Sequence, residues 1–216
     1  MARRPQRRPR AGSSTGDRAE AGPHAAFEGR RGRVAAALMA RMNRDMEAAA
    51  LDLAAPCDGE RVLVLGPGPG VGVEMLLARC RPAAVVAADP SVEMVRVARR
   101  RVERRAGGGG EWAVSFVVGD VTALGTGVFD VVIAVNCHQL WTPLESTTVA
   151  VAQRVATLGR LVSLTHDWAI SRVNAVGGWR HAVSDALDRG GLSDVTWGAR
   201  RYRSGAGTWV TARRSG

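Results

Sequence analysis

The stretch RVLVLGPGPGVG, residues 61–72, constrains the fold more than any other part of the chain. Its apolar run, Val62 to Leu65, is too short for a helix, and it ends in glycines at 66, 68, 70 and 72 with prolines at 67 and 69 between them. This reads as a strand, then a tight turn, then a helix through GVGVEMLLARC. A short, fully apolar strand that feeds a helix is the opening of a βα unit. Such strands belong to a mainly parallel sheet with helices on both faces.

The rest of the chain repeats the alternation. AAVVAAD reads as a second strand, followed by a helix from Ser91 whose outer face carries Arg96, Arg99, Arg100, Arg101, Arg104 and Arg105 and which stops at GGGG, 107–110. VSFVVGD and FDVVIAVN read as third and fourth strands, apolar enough to be covered on both faces. A helix over LESTTVAVAQRVATL is expected to stop at Gly159, before a fifth strand, RLVSLTHDW. A helix through GGWRHAVSDALDRGG then leads to SDVTWGARRYR and GTWVTARR, which SGAG joins as an antiparallel hairpin. Upstream, Leu38, Met39, Met42, Met46, Ala49, Ala50 and Leu53 recur at helical spacing before Pro56.

With 216 residues the chain suits one domain able to bury its own core. Of the net charge of +10, residues 1–33 contribute +6, through nine arginines against Asp17, Glu20 and Glu28. All the basic residues are arginine, which points to coding bias, and the segment 1–25 is expected to be a disordered, solvated tail rather than a nucleic-acid arm. Residues 26–216 form the folded unit: a helical cover at 26–55 and a core at 60–214. Cys57, Cys80 and Cys137 have neither the number nor the spacing for a disulfide framework or a metal site. No apolar run resembles a secretory signal or a bilayer span, so a cytoplasmic protein without membrane attachment is expected.

The glycine turn suggests a nucleotide-like ligand, and its spacing limits which one. A dinucleotide fingerprint would need glycine at 71 or 73, where the chain has Val71 and Val73. Pro67 and Pro69 carry no N–H, so the turn lacks donors for a diphosphate. The Lys-Ser/Thr ending of a phosphate-binding loop is absent too.

The pattern G-x-G-x-G resembles the first motif of the class I S-adenosylmethionine-dependent methyltransferases, and three further stretches follow in the family's order. AADPS ends the second strand with Asp89, which the resemblance places on the ribose hydroxyls. VVGDVTAL ends the third with Asp120, which it places on the adenine amino group, and FDVVIAVNCHQLW resembles the fourth strand, on the substrate side. The similarity runs over about residues 35–213 and is nearest to small bacterial metabolite enzymes. It implies a Rossmann-like α/β fold, a mainly parallel seven-stranded sheet ending in an antiparallel hairpin, and S-adenosyl-L-methionine as cofactor. Gly66, Gly68, Gly70, Asp89, Pro90, Asp120, Val121 and Asn136 are the cofactor-binding candidates. Read from the residues alone, Asp89 can also be a helix cap and Asp120 a turn acid.

One position departs from the family. Val64 stands where the family commonly has Asp or Glu near the methionine end of the cofactor; backbone carbonyls near Gly66 and Asn136 are the expected substitutes.

Methyl transfer from a sulfonium is an in-line displacement, so holding the acceptor in a dry pocket supplies most of the rate. Where the acceptor must lose a proton, His138 and then His166 are the candidate bases. Trp141 and Met42 are candidates for lining the substrate pocket; His24 and His181 receive no role, and no metal is expected. The resemblance favours a small-molecule acceptor. The alternatives are an RNA or protein methyltransferase gripping its substrate with the arginine-rich segments, or a methyltransferase-like domain whose cofactor binding is weakened at Val64.

Overall fold

The structure, a computed structural model, describes residues 40–106, 113–137, 144–172 and 176–216. The tail at 1–25, Met39, His138 and Trp141 lie outside those residues. The strands are β1 (Arg61–Leu65), β2 (Ala84–Asp89), β3 (Val114–Val118), β4 (Phe129–Val135), β5 (Val155–His166), β6 (Ser193–Tyr202) and β7 (Gly205–Arg213). The helices are α1 (Arg44–Ala54), α2 (Val71–Arg79), α3 (Val92–Ala106), α4 (Leu144–Ala152), α5 (Asp167–Ile170) and α6 (Val176–Arg189).

All seven strands form one sheet in the order β3-β2-β1-β4-β5-β7-β6. The first five pair in parallel, and β7 runs antiparallel to both β5 and β6. The expected α/β sheet with a closing hairpin is therefore the observed architecture. After β2 and β3 are laid down on one side of β1, the chain crosses to place β4 on the other. That reversal opens a crevice beyond the carboxyl ends of β1 and β4.

Alternation along β1 divides the core. Val62 and Val64 join Met46 and Ala50 of α1 and Val73 and Leu76 of α2, whereas Leu63 and Leu65 join Val151 of α4 and Trp179 and Leu187 of α6 on the other face. Each such aliphatic side chain contributes about 1.5–3 kcal/mol on burial. At the far side of the sheet Arg214 donates to the carbonyls of Ala152, Val155 and Gly190, each at 2.8 Å, and so closes the ends of α4 and α6.

Two expectations are corrected. The helix expected over 144–158 ends at Ala152, and β5 already begins at Val155, which pairs with Phe129. Val155 and Thr157 are β-branched, and the chain bulges between Val155 and Arg160 with Leu158 at φ 64°. Gly159 is needed there for space, not as a helix stop: a Cβ would lie 2.8 Å from the Ala156 carbonyl and 3.0 Å from that of Asp130. The second correction concerns β3, which is an edge strand with Val118 exposed, not a strand covered on both faces.

Candidate functional site

The turn after β1 owes its shape to its glycines. Gly66, Gly68 and Gly70 have φ of 63°, 50° and 80°, conformations that side chains with a Cβ rarely adopt. Its donors are all in use. Gly66 N–H donates to the Ala88 carbonyl at 2.9 Å, Gly70 N–H to the Pro67 carbonyl at 2.8 Å, and Gly68 N–H to Asp89 Oδ2 at 3.1 Å. With prolines at 67 and 69, the turn from 66 to 70 keeps no amide for a phosphate, while its carbonyl edges and the carboxylate beside it remain suited to hydroxyls and ammonium groups.

Asp89 is 8% exposed and works in two directions. One oxygen accepts from Gly68, and the other accepts from Ser91 N–H at 2.9 Å. The cap of α3 is Ser91, whose Oγ accepts from Met94 N–H at 3.3 Å. Asp89 thus locks the glycine turn to the start of α3, and Pro90 beside it is half-buried. Arg101, expected on the outer face of α3, instead turns inward: its Nε donates to the Pro69 carbonyl at 2.8 Å and its Nη1 meets Glu74 Oε2 at 3.0 Å.

Asp120 follows β3 and is joined to Asp89 through the backbone, Gly119 N–H donating to the Asp89 carbonyl at 3.0 Å. Its Oδ1 accepts from both the backbone N–H and the hydroxyl of Thr122, at 2.8 and 2.5 Å, and these bonds hold its carboxyl below the usual carboxylate range. The turn-acid geometry is therefore present, with the second oxygen outside these bonds. Val121 buries its side chain in the core at 1% exposure, which leaves only its backbone for a ligand.

On the other side of the turn Asn136 ends β4 with φ 51°. Its N–H donates to the Leu164 carbonyl at 2.8 Å, its Oδ1 accepts from His166 N–H at 3.0 Å, and its Nδ2 lies 3.6 Å from Met46 Sδ. Asn136 therefore ties together β4, β5 and α1. A Cβ on Gly66 would lie 3.2 Å from Cys137 Sγ, so the turn and the end of β4 face each other.

His166 ends β5, is 4% exposed, and its Nδ1 has no hydrogen-bond partner among the described residues. Burial pushes its pKa down, so the ring is neutral near pH 7. Trp168 stacks on it with ring centroids 5.5 Å apart and planes 25° apart. Trp168 is half-exposed, and the Arg172 guanidinium lies over its ring, 4.9 Å from the centroid. Met42 is exposed, two residues before α1, whereas Met46 is fully buried, so the methionine stripe is not one continuous face.

The structure thus gathers Gly66, Gly68, Gly70, Asp89, Asp120 and Asn136 at the crevice, with His166 at its β5 side. Two residues that the sequence reading passed over stand with them. Trp168 was counted as the end of a strand but opens α5. Glu47, on α1, is 9% exposed and packs over Gly72, where a Cβ would lie 2.3 Å from its Oε2. The sequence signal for Glu47 was a lone acid three residues before Ala50, on the apolar stripe. Among the described residues no group of acids, histidines and cysteines could hold a metal ion, and no helix is long and apolar enough to cross a membrane.

A family model described as a methyltransferase domain matches residues 62–159, from β1 into β5. No curated protein matches the chain by sequence. Among solved structures, the N-methyltransferase NodS from Bradyrhizobium japonicum WM9 is similar with a TM-score of 0.63 at 16% identity, over 82% of this chain and 98% of that one. An O-methyltransferase family protein from Burkholderia thailandensis gives 0.65 at 19%, over 88% of this chain and 62% of that one. The magnesium protoporphyrin IX methyltransferase of Synechocystis PCC 6803, with bound SAM, gives 0.60 at 20%, over 85% and 81%. The strand order, the glycine turn and the matched residues agree: residues 62–159 match a methyltransferase domain, and the chain has the fold of the methyltransferases named above.

Proposed function

We propose that this chain is an S-adenosylmethionine-dependent methyltransferase that acts on a small-molecule acceptor held beyond the ends of β4 and β5. The observation that carries the cofactor side is the complete use of the turn's amides together with the placing of Asp89 beneath it: the crevice offers acceptors rather than phosphate donors. In the proposed arrangement Asp89 takes the ribose hydroxyls, Asp120 and the Val121 backbone take the adenine, and carbonyls at Gly66 and Asn136 face the methionine portion. S-adenosylmethionine brings an electrophilic methyl group on a sulfonium, and the protein's part is to exclude water and align the acceptor.

Among the described residues His166 is the candidate to accept a proton from a hydroxyl acceptor, since burial keeps it neutral and it stands at the end of β5. His138 remains the first-choice base from the sequence. In this reading Trp168, half-exposed and stacked on His166, lines the acceptor side, with Trp141 and Met42 as further lining. The connecting segments 136–143 and 171–175 are too short to add a domain that grips a macromolecule.

Methylation of RNA or protein would draw on Arg99, Arg100, Arg104 and Arg105, which are exposed on α3. That helix packs on β2 and β3, at the other half of the sheet from the ends of β4 and β5.

The test follows labelled methyl from S-adenosylmethionine into three pools: a panel of small hydroxyl and amine compounds, mixed RNA, and protein. Label confined to the small compounds supports the proposal, and label confined to RNA or protein overturns it. On a hydroxyl acceptor, His166→Ala should lower turnover while leaving S-adenosylmethionine affinity unchanged; equal loss of both would place His166 in the cofactor pocket instead.

A further inference from the structure

We propose that Glu47 supplies, from helix α1, the carboxylate that takes the ammonium group at the methionine end of the cofactor, in place of the acid that β1 lacks at Val64. The inference rests on the proposed cofactor site and assigns it one further residue.

Three observations converge on Glu47. The first is placement. Helices α1 and α2 lie side by side in the same direction, Glu47 over Gly72 near their starts and Asp52 against Arg79 at 2.7 Å near their ends. Met46, the neighbour of Glu47, touches Asn136 at the end of β4. Glu47 therefore sits at the carboxyl edge of the sheet, beside the first turn of α2 that begins at Gly70.

The second is space. Gly72 has no positive φ and sits within a helix, so its backbone does not call for glycine. A Cβ there would come within 2.3 Å of Glu47 Oε2 and 3.0 Å of its carboxyl carbon. The glycine is what admits the carboxyl. Val64 points into the same apolar cluster as Met46, Ala50 and Val73, so the strand that lacks an acid and the helix that carries one share a single face of the sheet.

The third is isolation. No hydrogen bond or ion pair reaches the Glu47 carboxyl among the described residues, and the acids near it are engaged elsewhere. Asp45 of α1 accepts from the backbone of Met46 and Arg203. Glu74 of α2 is paired with Arg101 of α3, and Asp89 lies under the turn with Gly68 and Ser91. Burial alone pushes the Glu47 pKa up to about 8, so the carboxyl holds its proton near neutrality. A buried acid with no partner is costly, and a cation arriving with a ligand removes that cost. On binding, the carboxyl releases one proton to solvent and accepts N–H bonds from the ammonium group.

The experiment is calorimetry on the full chain with two nucleosides: S-adenosylhomocysteine, which carries the amino-acid end, and 5′-methylthioadenosine, which lacks it. Glu47→Gln should weaken S-adenosylhomocysteine by about tenfold to a hundredfold and leave 5′-methylthioadenosine unchanged. In wild type at pH 7, measured in buffers of different ionisation enthalpy, the first ligand should release a proton and the second should not. Equal affinity of Glu47→Gln and wild type for S-adenosylhomocysteine, equal loss of both ligands, or binding without proton release would each overturn the assignment of Glu47 while leaving the cofactor site standing. Failure of wild type to bind either nucleoside would overturn the cofactor reading itself and the assignment with it.

Discussion

The carboxylate of Asp89 accepts the amide hydrogen of Gly68 at 3.1 Å, across the gap between the end of β2 and the turn that follows β1. The acid and the glycine turn are therefore one unit. Arg101, bonded to the Pro69 carbonyl from α3, clamps the same turn from the other side. The turn is preorganised: it keeps its shape by bonds within the protein.

Asp89→Ala removes the acceptor for two buried amides, and a hydrogen bond to a charged group contributes about 1.5–3 kcal/mol. Tm should fall by several degrees, since about 1 kcal/mol shifts a domain of this size by roughly 2–4 °C. S-adenosylmethionine should bind at least tenfold more weakly by calorimetry. A lowered Tm with unchanged affinity would confine Asp89 to holding the turn.

Gly70→Ala tests the close approach of α3. An added Cβ would lie 2.8 Å from the Ala98 Cα, at a backbone φ of 80°. Overpacking of this kind costs about 1–3 kcal/mol, beyond the roughly 1 kcal/mol or more of a Cβ in a left-handed conformation. Gly59→Ala is the control, because Gly59 has φ 83° and nothing within 4 Å of its added Cβ. Urea denaturation should show the larger loss at Gly70; equal losses would mean that α3 yields to the methyl group.

Glu47 makes a prediction about pH with a definite sign. Its folded-state pKa of about 8 lies above the ordinary 4.5, so between those values the folded protein binds the extra proton. The contribution to stability is fully present below pH 4.5 and is lost as pH rises through about 8. Burial is the sole cause, with Glu74 and Asp45 turned to other partners. Without ligand, wild type and Glu47→Gln should have similar stability near pH 5, and the variant should be clearly the more stable at pH 9. Parallel pH profiles would show that the carboxyl is already solvated.

Much of the fold was legible in the sequence because short-range rules govern it. Val62 to Leu65 alternate faces in a strand whatever surrounds them, and glycines at 66, 68 and 70 mark positive φ without reference to neighbours. The same holds for Pro67 and Pro69, whose missing N–H groups already spoke against a diphosphate. The errors occurred where a distant partner decides. Residues 153–158 continue a helical pattern, yet Val155 pairs with Phe129, and only the neighbouring strand makes β5 begin there.

By itself the sequence determined the order of βα units, the glycine turn and the strand-end acids Asp89 and Asp120, because each depends on local backbone geometry and on periodicity. The tertiary structure decided which charged side chains turn inward. Arg101 looks like a surface residue of an amphipathic helix until α3 meets the glycine turn, and Glu47 is an acid out of place on an apolar stripe until α1 meets Gly72. The physical reason is that burial and pairing are set by the packing of whole elements, and no window of sequence contains the partner.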